Sequence, residues 1–549
     1  MQAAEPPLSE ADPRQRIEAA LPSQVLAPPL RPRKLLIFDR NVNYGGHASI
    51  PTANLAFTRM GQKTGAFETV VSQDPAIFKP QDLRQFHAVF FNNTVGNLFE
   101  DPALRESLAE FVYGGGGLMG VHGTSVAFTR WPGAAEDWPE FGRMLGARGA
   151  NHRDSDEHVF IRLDDPSHPV NQSFGGQGFD YRDEFFRFQE LYSRQKLRVL
   201  LTIDTAKTDL KGVPRGNCLR ADNDYALAWV RQYGRGRAFY STIAHNPYVF
   251  WDPRMLRFYL AATQFALGDL AAPTTPSGRL TPAVRAQERL GWRLGLAVHR
   301  LGHETLFDTV DQAAQAGLFC LSSSDRQVVG RTMGGQLDGR LGPDELRQIR
   351  AKLDDAGVRV LTYHVSAAPT SEAGWRGVFE FARQLGVETL TVETVPAPLD
   401  ALEKLCEEFD LNLAIENQDA KGAARAPRME ALLQACQGRS PRIGVCGNVA
   451  AWLRAGTDPV EAVRLLKARL LTLHLHDLND KTDRGYAVPL GTGVAKTGAL
   501  LDELHRLKIK PTMFGLERLS GSAHEAADLS ESVAFCNKTT LQLAKDLQP

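Results

Sequence analysis

The chain of 549 residues lacks the features of several protein classes. Its formal net charge is -1 at pH 7 and it has no basic run, so nucleic acid is not expected as its main partner. No apolar stretch approaches the ~20 residues that cross a membrane, so no membrane partner is expected. The six cysteines form no C-x-x-C pair, which argues against a zinc ribbon and a disulfide scaffold.

Two shorter signals are also missing. The N-terminal sequence lacks the apolar core of a signal peptide and is typical of a mature N-terminus preceded by Met. The cytoplasm and, after removal of a signal peptide, the periplasm both stay open. The glycine run at 114–117 lacks the Lys-Ser/Thr pair of a phosphate-binding loop and follows a helical pattern, so we expect no nucleotide cofactor.

Composition and length indicate a globular protein of at least two domains. Hydrophobic residues make up 43% of the chain and charged residues 23%, and a single core does not reach this length. A segment rich in Pro, Thr, Gly and Ser divides the sequence. We predict a flexible N-terminal arm over 1–32, a first domain over 33–270, a linker over 271–290 and a second domain over 291–549.

The first domain shows strand patterns that alternate with helical patterns. Buried strands are predicted at 34–39, 88–93, 117–123 and 237–243, and a helix lies within 102–116. Such alternation is typical of a parallel sheet covered by helices. We therefore predict an α/β domain with a parallel sheet.

Eight apolar strand patterns follow the linker at roughly regular spacing, with helical patterns between them. Eight β/α units in ~260 residues predict a (β/α)8 TIM barrel. The strands are expected at 293–299, 317–323, 359–365, 388–394, 411–417, 442–448, 470–477 and 511–517.

Polar side chains gather at the carboxyl ends of these strands, where TIM-barrel active sites lie. Side chains alternate between the two faces of a strand, so both histidines of 470–477 lie on the same face. When the inward face of each other strand is followed by the same alternation, its last residue is usually polar. Carboxylates with an imidazole favour Mn²⁺, Mg²⁺ or Co²⁺, and paired carboxylates are suited to move protons between adjacent sugar carbons. The residues are His299, His364, Glu393, Glu416, Asn448, His474, His476 and Glu517.

The motifs AIEN (414–417), GVCGN (444–448), HLHD (474–477) and GLE (515–517) resemble those of the xylose-isomerase-like barrel family of sugar phosphate isomerases and epimerases. The resemblance covers about residues 292–545. It implies a metal held by Glu416, Asn448, His474 and Glu517, with Glu416 and Glu517 as base and acid. We assign the remaining polar residues, His299, His364, Glu393 and His476, to substrate contact.

One strand of this barrel departs from the family pattern. The acid and the histidine that relatives carry on strand 6 are replaced by Asn448 and Ala451. An amide oxygen can bind a hard cation but brings no charge, so the affinity for metal should fall. Two alternatives stay open: the barrel keeps a weakened metal site, or it has lost metal chemistry and only binds or supports.

The first domain has polar motifs at its own strand ends. His47 follows a Gly-Gly pair, Asn92 and Asn93 end a strand, and His122 stands between glycines in GVHGT (120–124). That glycine frame matches a nucleophile elbow, but with His in place of Ser or Cys, so covalent acyl chemistry is not expected. The further candidates are His152, Asp183, Glu184 and His245.

Together with YGGGGLMGVHG (113–123) and AWVRQYGRGRAFYSTIAHNPYVFWDP (228–253), these motifs resemble the ThuA-like (trehalose utilisation) family over about residues 33–270. The resemblance implies a flavodoxin-like, class I glutamine-amidotransferase-like fold and a link to disaccharide catabolism through 3-keto sugars. Histidines suit acid–base steps, and three or four together also suit a metal. The implied catalytic pocket contains His47, His122, His152, Asp183, Glu184 and His245, and we assign Asn92 and Asn93 to the substrate.

Some conspicuous residues are interpreted as structural. His168, which precedes Pro169, is assigned to a loop. Trp229, Tyr240 and Trp251 are assigned to the core instead of a sugar-binding platform.

Both halves thus point to carbohydrates. We expect an enzyme that acts on keto-sugars or 3-keto-glycosides by metal-assisted enolisation, followed by isomerisation, epimerisation or β-elimination. A separate sugar 3-dehydrogenase would make the ketone. Two alternatives stay open. Either one half alone is catalytic, with the first domain favoured and the barrel a sugar-binding or scaffolding module, or paired carboxylates hydrolyse the glycoside directly.

Overall fold

The computed structural model describes residues 12–149, 151–189, 191–214, 218–297, 304–417, 429–482, 484–517, 524–545 and 547. The chain divides into two compact units, Met1–Arg279 and Leu280–Pro549. The division lies within the predicted linker, but the second half of that linker is a helix, Pro282–Leu290. Thr281 caps this helix by accepting the N–H of Val284, and proline at its first position has a suitable fixed φ.

The predicted N-terminal arm is packed from Asp12 onward. Asp12 accepts the N–H of Arg14 and begins a helix, α1 (Pro13–Ala20), in which Ile17 is fully buried. This segment is therefore packed against the first unit, through Ile17 and through hydrogen bonds of Lys63 to the carbonyls of Glu18 and Leu21, and the bounds of the predicted arm stay a prediction.

The first unit contains one nine-stranded mixed sheet, in the order β2-β1-β3-β4-β9-β8-β7-β5-β6. The four predicted strands are β1, β3, β4 and β9, and they pair in parallel, as does β2. The strands are β1 Lys34–Phe38, β2 Glu68–Ser72, β3 Ala88–Asn92, β4 Gly117–Val121, β5 Glu157–Leu163, β6 Phe179–Asp183, β7 Arg198–Ile203, β8 Ala226–Tyr233 and β9 Gly236–Ser241.

The prediction of a parallel sheet is wrong for the other half, because β5 to β8 pair in antiparallel fashion. The β8–β9 hairpin turns at Gly234, whose φ of 60° suits glycine. Along β5, buried residues alternate with more exposed ones, which is typical of a strand with one wet face.

Two cores cover the two faces of this sheet. Along β1, Leu35 and Ile37 belong to one core, while Leu36 and Phe38 belong to the other. The first core includes α2 and α6, and the second includes α4 and α5. The helices of this unit are α1, α2 Ile50–Thr64, α3 Pro80–Leu83, α4 Pro102–Tyr113, α5 Pro139–Leu145 and α6 Pro253–Leu267.

The second unit is the predicted TIM barrel. Eight parallel strands close in the order β10-β11-β12-β13-β14-β15-β16-β19. Each lies within its predicted segment or extends it by one residue. The strands are β10 Leu294–Ala297, β11 Cys320–Ser324, β12 Arg359–His364, β13 Thr389–Val392, β14 Asn412–Glu416, β15 Ile443–Asn448, β16 Leu470–Leu475 and β19 Phe514–Glu517; a small ribbon pairs β17 Asp477–Leu478 with β18 Ala487–Val488.

Helices surround the barrel and pack against its strands in one continuous core. They are α7 Pro282–Leu290, α8 Leu306–Gln315, α9 Pro343–Ala356, α10 Glu372–Gln384, α11 Leu399–Phe409, α12 Met429–Cys436, α13 Val449–Arg454, α14 Pro459–Leu466, α15 Thr497–Arg506 and α16 Glu525–Leu543. No helix in the described part of the chain combines the length and apolar character that crossing a membrane requires.

His168 is a structural residue of the first unit, as interpreted from the sequence. Its Nδ1 accepts the N–H of Val170 at 3.2 Å, and its Nε2 donates to the carbonyl of Pro273 at 3.0 Å. It thereby caps a short 3₁₀ helix, Pro169–Phe174. Burial is the main cause that lowers the pKa of His168, to about 4.

This lowered pKa predicts a loss of stability in acid. The unfolded chain takes up the proton near pH 6.5, before the folded chain does, so the contribution is present above about pH 6.5 and is lost as pH falls toward about 4. The variant His168→Asn keeps a capping acceptor but does not titrate. We expect its free energy of unfolding, from urea titrations followed by circular dichroism, to fall less between about pH 7 and pH 4 than that of wild type, by up to roughly 3 kcal/mol. Parallel pH dependences would contradict this role.

Candidate functional site

The first unit brings its predicted histidines together at one edge of the sheet. β1, β3, β4 and β9 are parallel neighbours, so their carboxyl ends meet at the same edge. His47 lies beyond β1, His122 directly follows β4, and His245 lies beyond β9. These histidines are 75 and 123 residues apart in sequence, and the order of the strands in the sheet brings them together.

We call His47, His122 and His245 the imidazole cluster. Its ring centroids are separated by 5.0 Å (His47–His122), 5.4 Å (His47–His245) and 5.1 Å (His122–His245). One ring nitrogen from each histidine lies within 4.8 Å of the other two. The cluster is therefore a nearly equilateral triangle of potential ligands.

Asn93 connects the three loops that carry the imidazole cluster. Its Nδ2 donates to the Ser49 hydroxyl at 3.0 Å and to the Ala244 carbonyl at 2.9 Å. Its Oδ1 accepts the N–H of Gly123 at 3.0 Å. These partners lie one or two residues from His47, His245 and His122, so one buried amide fixes the positions of all three rings.

The predicted elbow at His122 is confirmed. β4 leads directly into a 3₁₀ helix, His122–Val126, and His122 has a φ of 40°, which an L-residue rarely adopts. Glycine at 123 leaves room for the ring of His47, because a Cβ there would lie 2.9 Å from the Cε1 atom of that ring. Nδ1 of His122 lies 2.9 Å from the Thr242 carbonyl, which orients the ring.

The carboxylate of Glu184 faces the cluster. Its Oε1 lies 3.3 Å from Nε2 of His122, and its Oε2 lies 3.4 Å from Nδ1 of His152 and 3.8 Å from Nε2 of His245. Four antiparallel steps separate β9 from β6, so β6 points in the same direction as β9 and delivers Glu184 to the same edge.

A buried ion pair holds the segment that follows Glu184. The Arg187 guanidinium donates to both oxygens of Glu157, at 2.9 and 2.6 Å, and both side chains are almost fully buried. The N–H of Arg187 also donates to the carbonyl of Asn151, next to His152, at 2.7 Å. Glu184 and His152 are thus positioned by the same anchor.

Electrostatics favour neutral forms of His47 and His122 beside an ionised Glu184. Burial, followed by the charges of His122 and His245, lowers the pKa of His47 to about 3. Burial also lowers the pKa of His122. Burial alone would raise the pKa of Glu184, but its close approach to His122, followed by His152 and His245, brings that pKa below its ordinary value.

Three residues assigned to catalysis or substrate contact have positioning contacts instead. The Asp183 carboxylate is fully buried and accepts the backbone N–H groups of His245 (3.1 Å) and Asn246 (3.0 Å). Asn92 is also fully buried and donates to the carbonyl of Ile50. Asn93 makes the contacts described above. Asp183, Asn92 and Asn93 therefore hold the loops around the cluster, and their assignment to catalysis or substrate contact stays a prediction.

Two exposed aromatic residues beside the cluster were missed by the sequence reasoning. The ring of Tyr44 lies 5.2 Å from that of His47 and 5.6 Å from that of Trp131, and 53% of Trp131 is exposed. Trp229 and Tyr240, by contrast, are fully buried, which confirms their assignment to the core. Exposure distinguishes the surface aromatic residues from those of the core, and no local sequence pattern indicates which aromatic side chains are exposed.

The barrel gathers its predicted acids and histidines at the carboxyl ends of β12, β13, β14, β16 and β19. Nδ1 of His474 lies 3.8 Å from Oε1 of Glu416 and 3.6 Å from Oε1 of Glu517. Gly515 makes room for this ring, since a Cβ there would lie 3.1 Å from the His474 Cδ2 atom. Glu416 is only 1% exposed, so an acid ends β14 inside the barrel mouth.

The predicted substrate residues lie around this centre. Nε2 of His476 is 2.6 Å from Oε1 of Glu517, and Nδ1 of His364 is 3.9 Å from Oε2 of Glu416. The side chain of Glu393 is half exposed and lies 3.6 Å from Nε2 of His364. His299 lies outside the described residues.

Strand β15 differs most from the prediction. The amide oxygen of Asn448 accepts the N–H of Ala451 at 3.2 Å and so caps α13, and its role as a metal ligand stays a prediction. Cys446, two residues earlier on the same face, has its sulfur 3.9 Å from Nε2 of His474. Burial, with the nearby Glu416 and Glu517, raises the pKa of this thiol well above its ordinary value.

Two groups in the described residues have ligand atoms close enough together to hold a metal ion. One is the imidazole cluster, and the other is Glu416, Cys446 and His474, to which Glu517 adds a carboxylate beside His474. Two acidic oxygens facing one imidazole nitrogen at a buried barrel mouth fit a divalent cation. The sequence reasoning did not include Cys446, although its parity along β15 places it on the inward face.

Among solved structures, an uncharacterized protein from Parabacteroides distasonis is 26% identical, with a TM-score of 0.38, and covers 45% of this chain and 99% of its own. A ThuA-like protein from Bacteroides uniformis is 17% identical, with a TM-score of 0.35, and covers 43% of this chain and 92% of its own. A sugar phosphate isomerase/epimerase from Parabacteroides distasonis is 15% identical, with a TM-score of 0.34, and covers 45% of this chain and 94% of its own. No curated protein matches the chain.

Two family models match separate parts of the sequence, one in each unit. Residues 34–266 match the family described as ThuA, trehalose utilisation. Residues 311–539 match the family described as xylose isomerase-like TIM barrel. The chain therefore joins a ThuA domain to a xylose isomerase-like TIM barrel.

Proposed function

We propose that this chain is a carbohydrate-processing enzyme whose barrel rearranges keto-sugars by removing a proton next to a ketone. The observation that carries the proposal is the placement of Glu416 and Glu517, which face the same nitrogen of His474 at the barrel mouth. The family descriptions, trehalose utilisation and xylose isomerase-like, both name sugars and support this substrate class.

The two carboxylates have different surroundings, which suggests different roles. Glu416 is the more buried, and the nearest imidazole besides His474 is His364, at 3.9 Å. Oε1 of Glu517 lies 2.6 Å from Nε2 of His476. We assign Glu416 as the base that takes the proton, and Glu517 with His476 as the pair that returns a proton from another side.

The reaction follows from the acidity of a carbon next to a ketone. When Glu416 removes that proton, the C–H electron pair forms the C=C bond of an enediolate. Return of a proton to the same carbon gives epimerisation, and return to the neighbouring carbon gives isomerisation. In a 3-keto-glycoside the enediolate can instead expel the substituent at C1, which is β-elimination. A separate dehydrogenase would supply the ketone.

Glu416, His474 and Glu517 would hold a divalent cation in this site. Such an ion supplies positive charge that stabilises a developing enediolate oxygen. In this proposal Glu416 and Glu517 exchange protons with the substrate, and the buried barrel mouth limits the access of water. Cys446 adds a sulfur beside His474, which makes the donor set softer than one built from oxygen and nitrogen alone.

The decisive assay is proton exchange at carbon. The full chain is incubated in D₂O with a panel of 3-keto-glycosides and with the same glycosides unoxidised, and products are followed by NMR. We expect deuterium at the carbon next to the ketone, or release of the C1 substituent, only from the keto substrates. Cleavage of the unoxidised glycosides without exchange would instead support direct hydrolysis by the paired carboxylates.

Substitution of the carboxylates tests the assignment of base and acid. We expect Glu416→Gln and Glu517→Gln each to lower the exchange rate about 10²–10⁴-fold, because each removes one proton-transfer group. Glu372→Gln, which changes an exposed carboxylate in the first turn of α10, is the matched control and should leave the rate unchanged. Equal rates for Glu416→Gln and the control would reject Glu416 as the base.

A gain of charge tests the weakened position on β15. Asp caps a helix about as well as Asn, so Asn448→Asp should fold normally while adding a carboxylate beside the site. We expect its affinity for Mn²⁺, measured by isothermal titration calorimetry, to rise about tenfold, since affinity for hard cations grows with ligand charge. An unchanged affinity would show that this side chain serves only the helix.

A second candidate is that the ThuA domain alone is catalytic. The helix-capping contact of Asn448 favours it, because the barrel then lacks one acid of the family's ligand set. The two candidates separate on full-length variants. Loss of turnover in His474→Ala supports the barrel, whereas loss in His122→Ala with normal turnover in His474→Ala supports the ThuA domain.

A further inference from the structure

We propose that His47, His122, His245 and Glu184 of the ThuA domain bind a single divalent transition metal ion of the Zn²⁺ class, and that its open side receives an oxygen of a sugar held against Tyr44 and Trp131. This site is separate from the barrel chemistry proposed above. It rests on ring geometry, on the hydrogen bonding of His122 and on an exposed aromatic surface.

The geometry of the imidazole cluster is that of rings arranged around one ion. Bonds of about 2.1 Å from nitrogen to metal place each ring centroid about 3.2 Å from the ion, and tetrahedral directions then separate the centroids by about 5.2 Å. The observed separations are 5.0, 5.1 and 5.4 Å.

The hydrogen bonding of His122 points to a cation between its ring and Glu184. A carbonyl oxygen only accepts, so Nδ1, which lies 2.9 Å from the Thr242 carbonyl, carries the hydrogen. In the neutral ring the lone pair is then on Nε2, which is fully buried and faces the Glu184 carboxylate at 3.3 Å. A lone pair and a carboxylate repel each other unless a cation lies between them.

A proton would satisfy His122 and Glu184 but not the rest of the cluster. His47 and His245 bring further nitrogens to within 4.8 Å, and one proton bonds only two acceptors. A metal ion accepts electron pairs from all of them at once. Imidazole nitrogens with one carboxylate favour Zn²⁺, Fe²⁺, Co²⁺ or Ni²⁺ over Mg²⁺ or Ca²⁺.

The protein supports these ligands through residues around them. Asn93 fixes the loops that carry the three histidines, and the Thr242 carbonyl sets the tautomer of His122. Such contacts orient metal ligands and increase affinity. The φ of 40° at His122 is backbone strain kept where it aims a side chain into the site.

The open side of the cluster suits a sugar. Tyr44 and Trp131 form an exposed aromatic pair, and Tyr44 is next to the ring of His47. Aromatic faces bind the apolar C–H face of a sugar, while a hydroxyl or keto oxygen of that sugar completes the coordination of the metal. His152, whose side chain is 45% exposed, lies on the solvent side of Glu184 and can donate to the same ligand.

Metal binding by the full chain tests the centre. The chelator-treated protein is titrated with Co²⁺, and binding is followed by visible absorption and by elemental analysis. We expect one Co²⁺ ion that survives His474→Ala in the barrel, and affinity at least about 100-fold lower in His245→Ala and Glu184→Gln. His158→Ala, an exposed histidine of the same unit, is the matched control.

The outcomes separate this centre from the barrel site. Affinity in His245→Ala equal to that of His158→Ala would overturn the proposal. Loss of all Co²⁺ binding in His474→Ala alone would also overturn it, because the only ion would then be in the barrel. His245 is partly exposed, so its substitution is compatible with folding, and circular dichroism of each variant confirms it.

A second measurement tests the sugar ligand. Methyl α-glucoside and its 3-keto form are added to the Co²⁺-loaded protein. We expect one of them to shift the visible spectrum, and Trp131→Ala to weaken that effect at least about tenfold with Co²⁺ content unchanged, since stacking against an aromatic ring is lost. A spectrum unaffected by either sugar would reject the assignment of the ligand.

Discussion

Parallel strands end together, and this constraint places both clusters of titratable residues. In the ThuA domain the carboxyl ends of β1, β3, β4 and β9 meet at one edge, and in the barrel all eight strands end at one mouth. A residue at the end of any such strand is therefore close to residues far away in sequence. Histidines and acids at the strand ends do not reduce the hydrophobic core, because the core is formed by the apolar residues within the strands.

The direction of the strands brings the residues of a site together but does not fix their geometry. A few buried polar side chains fix it. Asn93 connects three loops, and the ion pair of Arg187 with Glu157 anchors the segment that follows Glu184. Each of these groups is almost fully buried, so removing one partner would leave another without its hydrogen bond. Rigidity of this kind keeps the imidazole rings and the Glu184 carboxylate a few ångströms apart.

The barrel shows how one strand can alter a site while its fold is unchanged. On β15, Cys446 and Asn448 share the inward face and are both buried, but they make different contacts. Asn448 begins α13 and uses its amide oxygen to cap it, whereas the sulfur of Cys446 approaches His474. The sulfur of Cys446 therefore lies beside the imidazole of His474, and the barrel keeps both carboxylates.

The sequence by itself determined the two α/β domains and the eight barrel strands. It also determined the parity that turns Glu416, His474 and Glu517 inward, and the glycine frame around His122. These features follow from period-two patterns and from glycine positions, which are local. Only the tertiary structure decided the antiparallel half of the first sheet, the difference between Asp183 and its neighbour Glu184, the approach of the Cys446 sulfur to His474, and the places of Tyr44 and Trp131. Those features depend on which strand lies beside which and on how deep each side chain lies. Pairing and depth are set by contacts between distant segments, so no window of sequence contains them.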